Sequence, residues 1–168
     1  MSQLQQQKCV EAAAQLKQAE KALTRRSFFR GSPDYLSAAP LLDKAGELFR
    51  LGNDWEASKD AFRRCADAQQ HNRLPFRAAQ AWENVAKTVL QQVQAEESSR
   101  TMSSQKSRVV EAHQAFEKAS GIYVDMNEFG DVLPIDTHAC DLLEATVKPS
   151  IVVETSRKLQ SFLVKYEK

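Results

Sequence analysis

The side chains able to do chemistry in this chain are few, and their spacing does not bring them together. Three histidines, His71, His113 and His138, share no HExxH spacing. His138 and Cys140 stand two apart, which on a helix directs them to different sides, so no metal pair is expected there. His113, beside a core position, reads as a surface or groove histidine. The cysteines Cys9, Cys65 and Cys140 are odd in number and far apart, with no CxxC pair. That pattern gives no disulfide framework and suits a reducing compartment. The five glycines, at 31, 46, 52, 121 and 130, make no GxGxxG, no GxxxxGK[ST] and no GxSxG. No carboxylate pair stands out as acid and base. The expectation is a chain that is not an enzyme and holds no cofactor or metal.

What the sequence does carry is an internal repeat. A small residue is followed four later by a large apolar one, three later by a small or apolar one, then by another apolar residue. The copies are Ala12-Leu16-Ala19-Leu23, Ala38-Leu42-Ala45-Phe49, Ser58-Phe62-Cys65, Ala78-Trp82-Val85-Val89 and Ala112-Phe116-Ala119-Tyr123. A degenerate sixth is Ala139-Leu143-Thr146. These spacings put each set on one helix face. The large residue fills the space between helices, and the small one lets a neighbouring backbone approach. Cys65, at a core position, is expected to behave as a small buried hydrophobe. The large positions 42, 62 and 82 are 20 residues apart. A helix of about 14 residues plus a short turn fits that interval, so neighbours run antiparallel.

The expected fold is all-α: an α–α superhelix, a tetratricopeptide-like solenoid of about seven antiparallel helices. The expected spans are 3–24, 35–51, 55–71, 75–94, 105–125, 128–146 and 150–166, in a single helical-repeat domain over 1–168. A compact bundle of the same helices would have no reason to repeat. The breaks agree. Gly52-Asn53-Asp54 ends one helix and caps the next, His71 to Pro75 does the same, and Ser32-Pro33-Asp34 starts the second helix. Asn127 to Asp131 and Val147-Lys148-Pro149 break the later helices. One step is irregular: Trp82 to Phe116 is 34 residues. The excess is a polar, serine-rich segment at about 91–107, which either extends the fourth helix or forms a loop.

Bulk properties narrow the partners. The 168 residues are 42% hydrophobic and 27% charged, with five Gly, five Pro and a net charge of +1. So even a balance argues against nucleic-acid binding. Residues 1–90 hold 14 basic and 10 acidic side chains, a local +4 that suits an acidic partner. No apolar run is long enough to cross a bilayer, and the amino terminus lacks the apolar core of a signal peptide. A cytoplasmic chain, peripheral on membranes, is expected.

The residues also resemble a known family, the soluble NSF attachment proteins, and its gamma type more than its alpha type. The best stretch is 33–87: Pro33-Asp34-Tyr35 followed by small residues, the aromatic Trp55, and His71-Asn72-Arg73 with Phe76, Ala78-Ala79 and Ala81-Trp82-Glu83. A second patch is 115–129, AFEKASGIYVDMNEF, and the first helix, leading to a Phe-rich turn, also fits. The resemblance covers about residues 10–130. It implies a non-catalytic adaptor in vesicle trafficking that coats a bundle of membrane-fusion SNARE helices and presents it to the ATPase NSF. The family fold is a twisted sheet of helix hairpins followed by a globular bundle whose end contacts the ATPase. At 168 residues that bundle is expected to be missing, either because this is a fragment or because it is a short relative. A tetratricopeptide-type peptide- or protein-binding scaffold outside membrane fusion is the alternative.

Two sets of residues are candidate contacts. Two positions after the large apolar residue stand Lys44, Arg64, Asn84 and Lys118, with Lys59, Arg63 and Lys87 near the same turns. The resemblance implies a basic surface facing the acidic outside of the SNARE bundle; a solvated helix face is the plainer reading. The second set is Phe28 and Phe29 in TRRSFFRGSPDY, flanked by Arg25, Arg26 and Arg30. Gly31, Ser32 and Pro33 mark this as a surface connection. Adjacent aromatic rings beside arginines suit the interface of an anionic membrane, and the family carries a Phe-containing membrane loop at this place. One Phe could instead staple the first helix to the second.

Overall fold

The computed structural model describes residues 2–24, 33–95 and 102–127, with side chains in the last stretch from Ser107 to Met126. These residues form α1 (Gln3–Thr24), α2 (Tyr35–Leu51), α3 (Trp55–His71), α4 (Pro75–Ala95) and α5 (Met102–Asn127), with no strand among them. The sixth and seventh expected helices, at 128–146 and 150–166, lie outside the described residues. The polar segment is mostly helical: α4 runs on to Ala95 and α5 begins at Met102.

The helices start where local chemistry lets them. Asp34 Oδ1 accepts from the Ser37 amide at 3.0 Å, and Asp54 Oδ1 from the Ala57 amide at 3.3 Å. Each carboxylate satisfies an amide the first turn would leave unpaired. Between α2 and α3 the chain closes in a Schellman turn. The Asp54 amide donates to Phe49 O at 2.9 Å and the Asn53 amide to Arg50 O at 3.1 Å, with Asn53 at φ 59°. Gly52 itself has φ −79°, so a left-handed backbone is not why it is glycine. Its role is close approach: a Cβ there would collide with Cys9 Sγ of α1.

Each helix packs chiefly on its neighbours in sequence, the arrangement of an antiparallel solenoid. The repeat positions supply the interior. Leu42, Phe62, Val85 and Val89 are fully buried, as are Ala12, Ala19, Ala38, Ala45, Ala78 and Ala112. Burial of each larger side chain contributes about 2 kcal/mol. Leu16, Leu23, Trp82 and Tyr123 are only partly covered. There is no single centre. One cluster joins Phe62, Val85, Val89 and Phe116 across α3, α4 and α5, and another joins Ala19, Leu42, Cys65 and Ala81 across α1 to α4. A third, with Ala12, Ala45, Phe49 and Ala61, joins α1 to α3. Among the described residues no helix is long and apolar enough to cross a membrane.

Candidate interaction surfaces

The candidate basic residues separate onto different faces. Arg64 of α3 reaches Glu20 of α1 at 3.4 Å, and Arg63 of α3 reaches Glu111 of α5 at 2.7 Å. Helices α1, α3 and α5 therefore form one side, joined by ion pairs. Lys59 departs from the expected surface role: the residue is 2% exposed. Its ammonium lies 3.0 Å from Glu111 and 2.9 Å from Glu56. Taking a lysine out of water is costly unless carboxylates meet it, and here two do. Burial alone would raise the Glu56 carboxyl, but the hydrogen bond and charge of Lys59, helped by Gln92 and Arg108, hold it below the ordinary value.

On the other side, α2 and α4 border a groove of about 330 Å3 lined by Asp43, Arg77, Glu83 and Lys87, with Cys65 and Gln69 of α3. Its charges alternate, so it is polar rather than basic. Lys87 pairs with Glu83 at 3.2 Å, and Glu83 also accepts from the Tyr123 hydroxyl at 2.8 Å. Asn84 lines the same groove. Asp43 is exposed as a residue, but the partial desolvation it meets beside the groove raises its carboxyl, Glu47 adds to this, and Arg77 and Arg50 offset part of it. Burial, with the Asp43 charge, pushes the Cys65 thiol up to about 12. Such a thiol is not a nucleophile near neutral pH. Its Sγ donates to Ala39 O at 3.4 Å, in keeping with a packed core position.

Lys118 is exposed and sits with Nζ 4.1 Å from the centre of the Trp82 ring, a cation–π contact between α5 and α4. Lys44 is exposed on α2. Arg25, Arg26, Phe28, Phe29 and Arg30 lie outside the described residues, as do His138 and Cys140. The chain does leave α1 and rejoin α2 at one end of the solenoid, where the Asp34 amide donates to Ala22 O at 3.2 Å. His71 is stacked on Tyr35, ring centres 4.2 Å apart, and His113 lies 3.8 Å from Glu117. No group of three metal-ligating side chains occurs among the described residues. Spacing alone did not reveal the acids that answer the basic residues. Glu111, beside the repeat position Ala112, was the one available signal.

A stack of helix hairpins held by small residues and cross-helix ion pairs, with a polar groove and scattered exposed cations, is a helical-repeat scaffold. The family it falls in is identified by sequence: the model of the soluble NSF attachment protein family matches residues 10–150, and the chain belongs to that family. A relative, the gamma-soluble NSF attachment protein of Dictyostelium discoideum, is 24% identical over 171 residues, covering 98% of this chain and 52% of the relative. The chain thus spans about half the length of that relative.

Proposed function

We propose that this chain is a non-catalytic adaptor that holds a SNARE bundle and aids its disassembly by NSF in membrane fusion. The observation that carries the reading is the family match over 10–150, on a solenoid whose faces present ionic side chains. Lys44, Arg63, Arg64, Lys87 and Lys118 are the cations proposed to meet the acidic bundle. Buried Lys59 is left to structure. Contact with an anionic membrane is assigned to Phe28 and Phe29 with Arg25, Arg26 and Arg30. The groove between α2 and α4 favours a second reading, a scaffold that takes a single extended peptide of mixed charge.

The experiment is a pull-down by the full chain of assembled SNARE bundle against single SNARE helices, with and without NSF. Preference for the bundle supports the adaptor. Equal capture of a single helix supports the peptide groove, and capture of neither removes both.

A further inference from the structure

Two turns of the solenoid share one backbone and carry opposite chemistry. Between α3 and α4 the Leu74 amide donates to Gln69 O at 2.9 Å and the Arg73 amide to Gln70 O at 2.9 Å, with Arg73 at φ 58°. This matches the Asn53-Asp54 turn bond for bond. Yet Arg73 stands where the other turn has Asn53, Leu74 where it has Asp54, and Phe76 where it has Glu56.

Each of these choices sets aside a local preference. The left-handed position favours Gly or Asn over Arg. The residue preceding a helix favours a capping oxygen, and Leu74 has none. A Schellman turn ordinarily covers its apolar residue with an apolar partner three places before the cap. Here that place is Gln69, the one before it is the small, buried Ala68, and Leu74 stays 41% exposed. Phe76 is 37% exposed, tilted against Tyr123 of α5 at 6.0 Å between ring centres. Leu36, in the first turn of α2, is 70% exposed. Its neighbour Tyr35 stacks on His71 and accepts through its carbonyl from Asn72 Nδ2 at 3.1 Å. The cations here are exposed Arg73, Arg77 and Lys21. The acids near these helix ends are Asp34, which caps α2, Asp67, one turn before the end of α3, and Asp125 in the last turn of α5. Surface positions that break local rules together point to a binding role.

We propose that the Arg73-Leu74-Pro75-Phe76-Arg77 turn, with Leu36, is a second lipid-binding element that enters the interface of an anionic bilayer. Apolar side chains seat among acyl chains while Arg73 and Arg77 meet lipid phosphates. The proposal rests on the membrane-adaptor reading above and deepens it. The connection from Thr24 to Pro33 leaves and rejoins the solenoid at this same end. One shallow apolar contact gives only weak, reversible attachment, and a second on the same rigid end multiplies it.

The test is co-sedimentation of the full chain with vesicles of phosphatidylcholine alone or with about one-third phosphatidylserine. Leu74→Ser with Phe76→Ser should lower partition onto the anionic vesicles about tenfold. Arg73→Gly should lower it about threefold while the melting temperature holds or rises, because glycine relieves the left-handed backbone. Leu51→Ser, at a leucine 62% exposed at the other end, should change nothing. Unaltered binding by the Leu74/Phe76 variant, or no vesicle binding by the unsubstituted chain, overturns the proposal. So does loss of SNARE-bundle capture by that variant without membrane, which would make the turn a protein contact. Retained bundle capture with unresponsive vesicle binding removes this element alone; lost bundle capture by the unsubstituted chain removes the adaptor reading.

Discussion

Phe62 packs against the place where Gly46 has no side chain. A Cβ at Gly46 would stand 2.7 Å from Phe62 Cε1 and 2.8 Å from Cδ1 and Cζ. The ring is fully buried between α2 and α4 and has nowhere to withdraw. Beside it the Ser58 hydroxyl donates to Gly46 O at 2.8 Å, so the two helix backbones are in near contact. Gly46→Ala gains helix propensity of up to about 1 kcal/mol and loses about 1–3 kcal/mol to overpacking. A net loss of about 1 kcal/mol is expected, read as a lower urea midpoint with unchanged slope.

Glu111 answers two cations of α3 at once. Glu111→Gln leaves buried Lys59 with Glu56 alone and should cost about 2 kcal/mol in denaturant unfolding. Lys59→Met removes the buried charge with little change in volume and should cost less. If Lys59→Met were the more damaging, the ion pair would contribute more than its desolvation takes away.

The Asp43 carboxyl is raised in the folded chain relative to its ordinary 3.8. A raised acid is destabilising above its folded pKa, where the unfolded chain keeps the charge more easily, and that cost disappears as pH falls through it. Asp43→Asn should therefore raise the melting temperature at pH 7, and the gain should vanish in acid. A gain that persists below pH 3.8 would show that charge is not its origin.

Cys65, with its thiol at about 12, should resist a thiol-alkylating reagent at pH 8 and react only when the chain unfolds. Cys9 is partly exposed and its thiol is raised by burial and by Asp54, so it should label slowly but before Cys65. Peptide mass spectrometry of a labelling time course separates the two.

Lys87→Glu with Lys118→Glu should weaken capture of the SNARE bundle about tenfold at low salt and flatten its salt dependence. Loss of the Lys118–Trp82 contact costs about 0.5–1 kcal/mol, too little to change the helical signal. Binding that ignores the double reversal would place the acidic partner elsewhere.

The helices were legible because spacing and punctuation agreed. Ala38, Leu42, Ala45 and Phe49 mark the buried face of α2, and Asp54 marks where α3 begins. α5 begins at Met102, three residues before the expected 105, because Ser103, Ser104 and Gln105 give no apolar period to read. The basic column was the less legible part. Sequence placed Lys59 by register on its own helix, but its burial depends on Glu111, which comes from 52 residues away. Equal register on antiparallel helices also sends Arg64 and Asn84 to opposite sides, a consequence of direction that spacing does not carry.

The joints along the α1–α3–α5 side are unequal. Between α1 and α3 stands one ion pair, Arg64 with Glu20 at 3.4 Å, its carboxylate about half exposed. Between α3 and α5, Lys59 and Arg63 both close on Glu111, and Lys59, 3% exposed, is shielded from water while Arg63 is not. Salt screens the first joint far more than the second. Rising salt should therefore loosen the ionic link between α1 and α3 well before it reaches the buried Lys59–Glu111 link between α3 and α5, so the two ends of the array differ in how their side-by-side contacts answer to the medium.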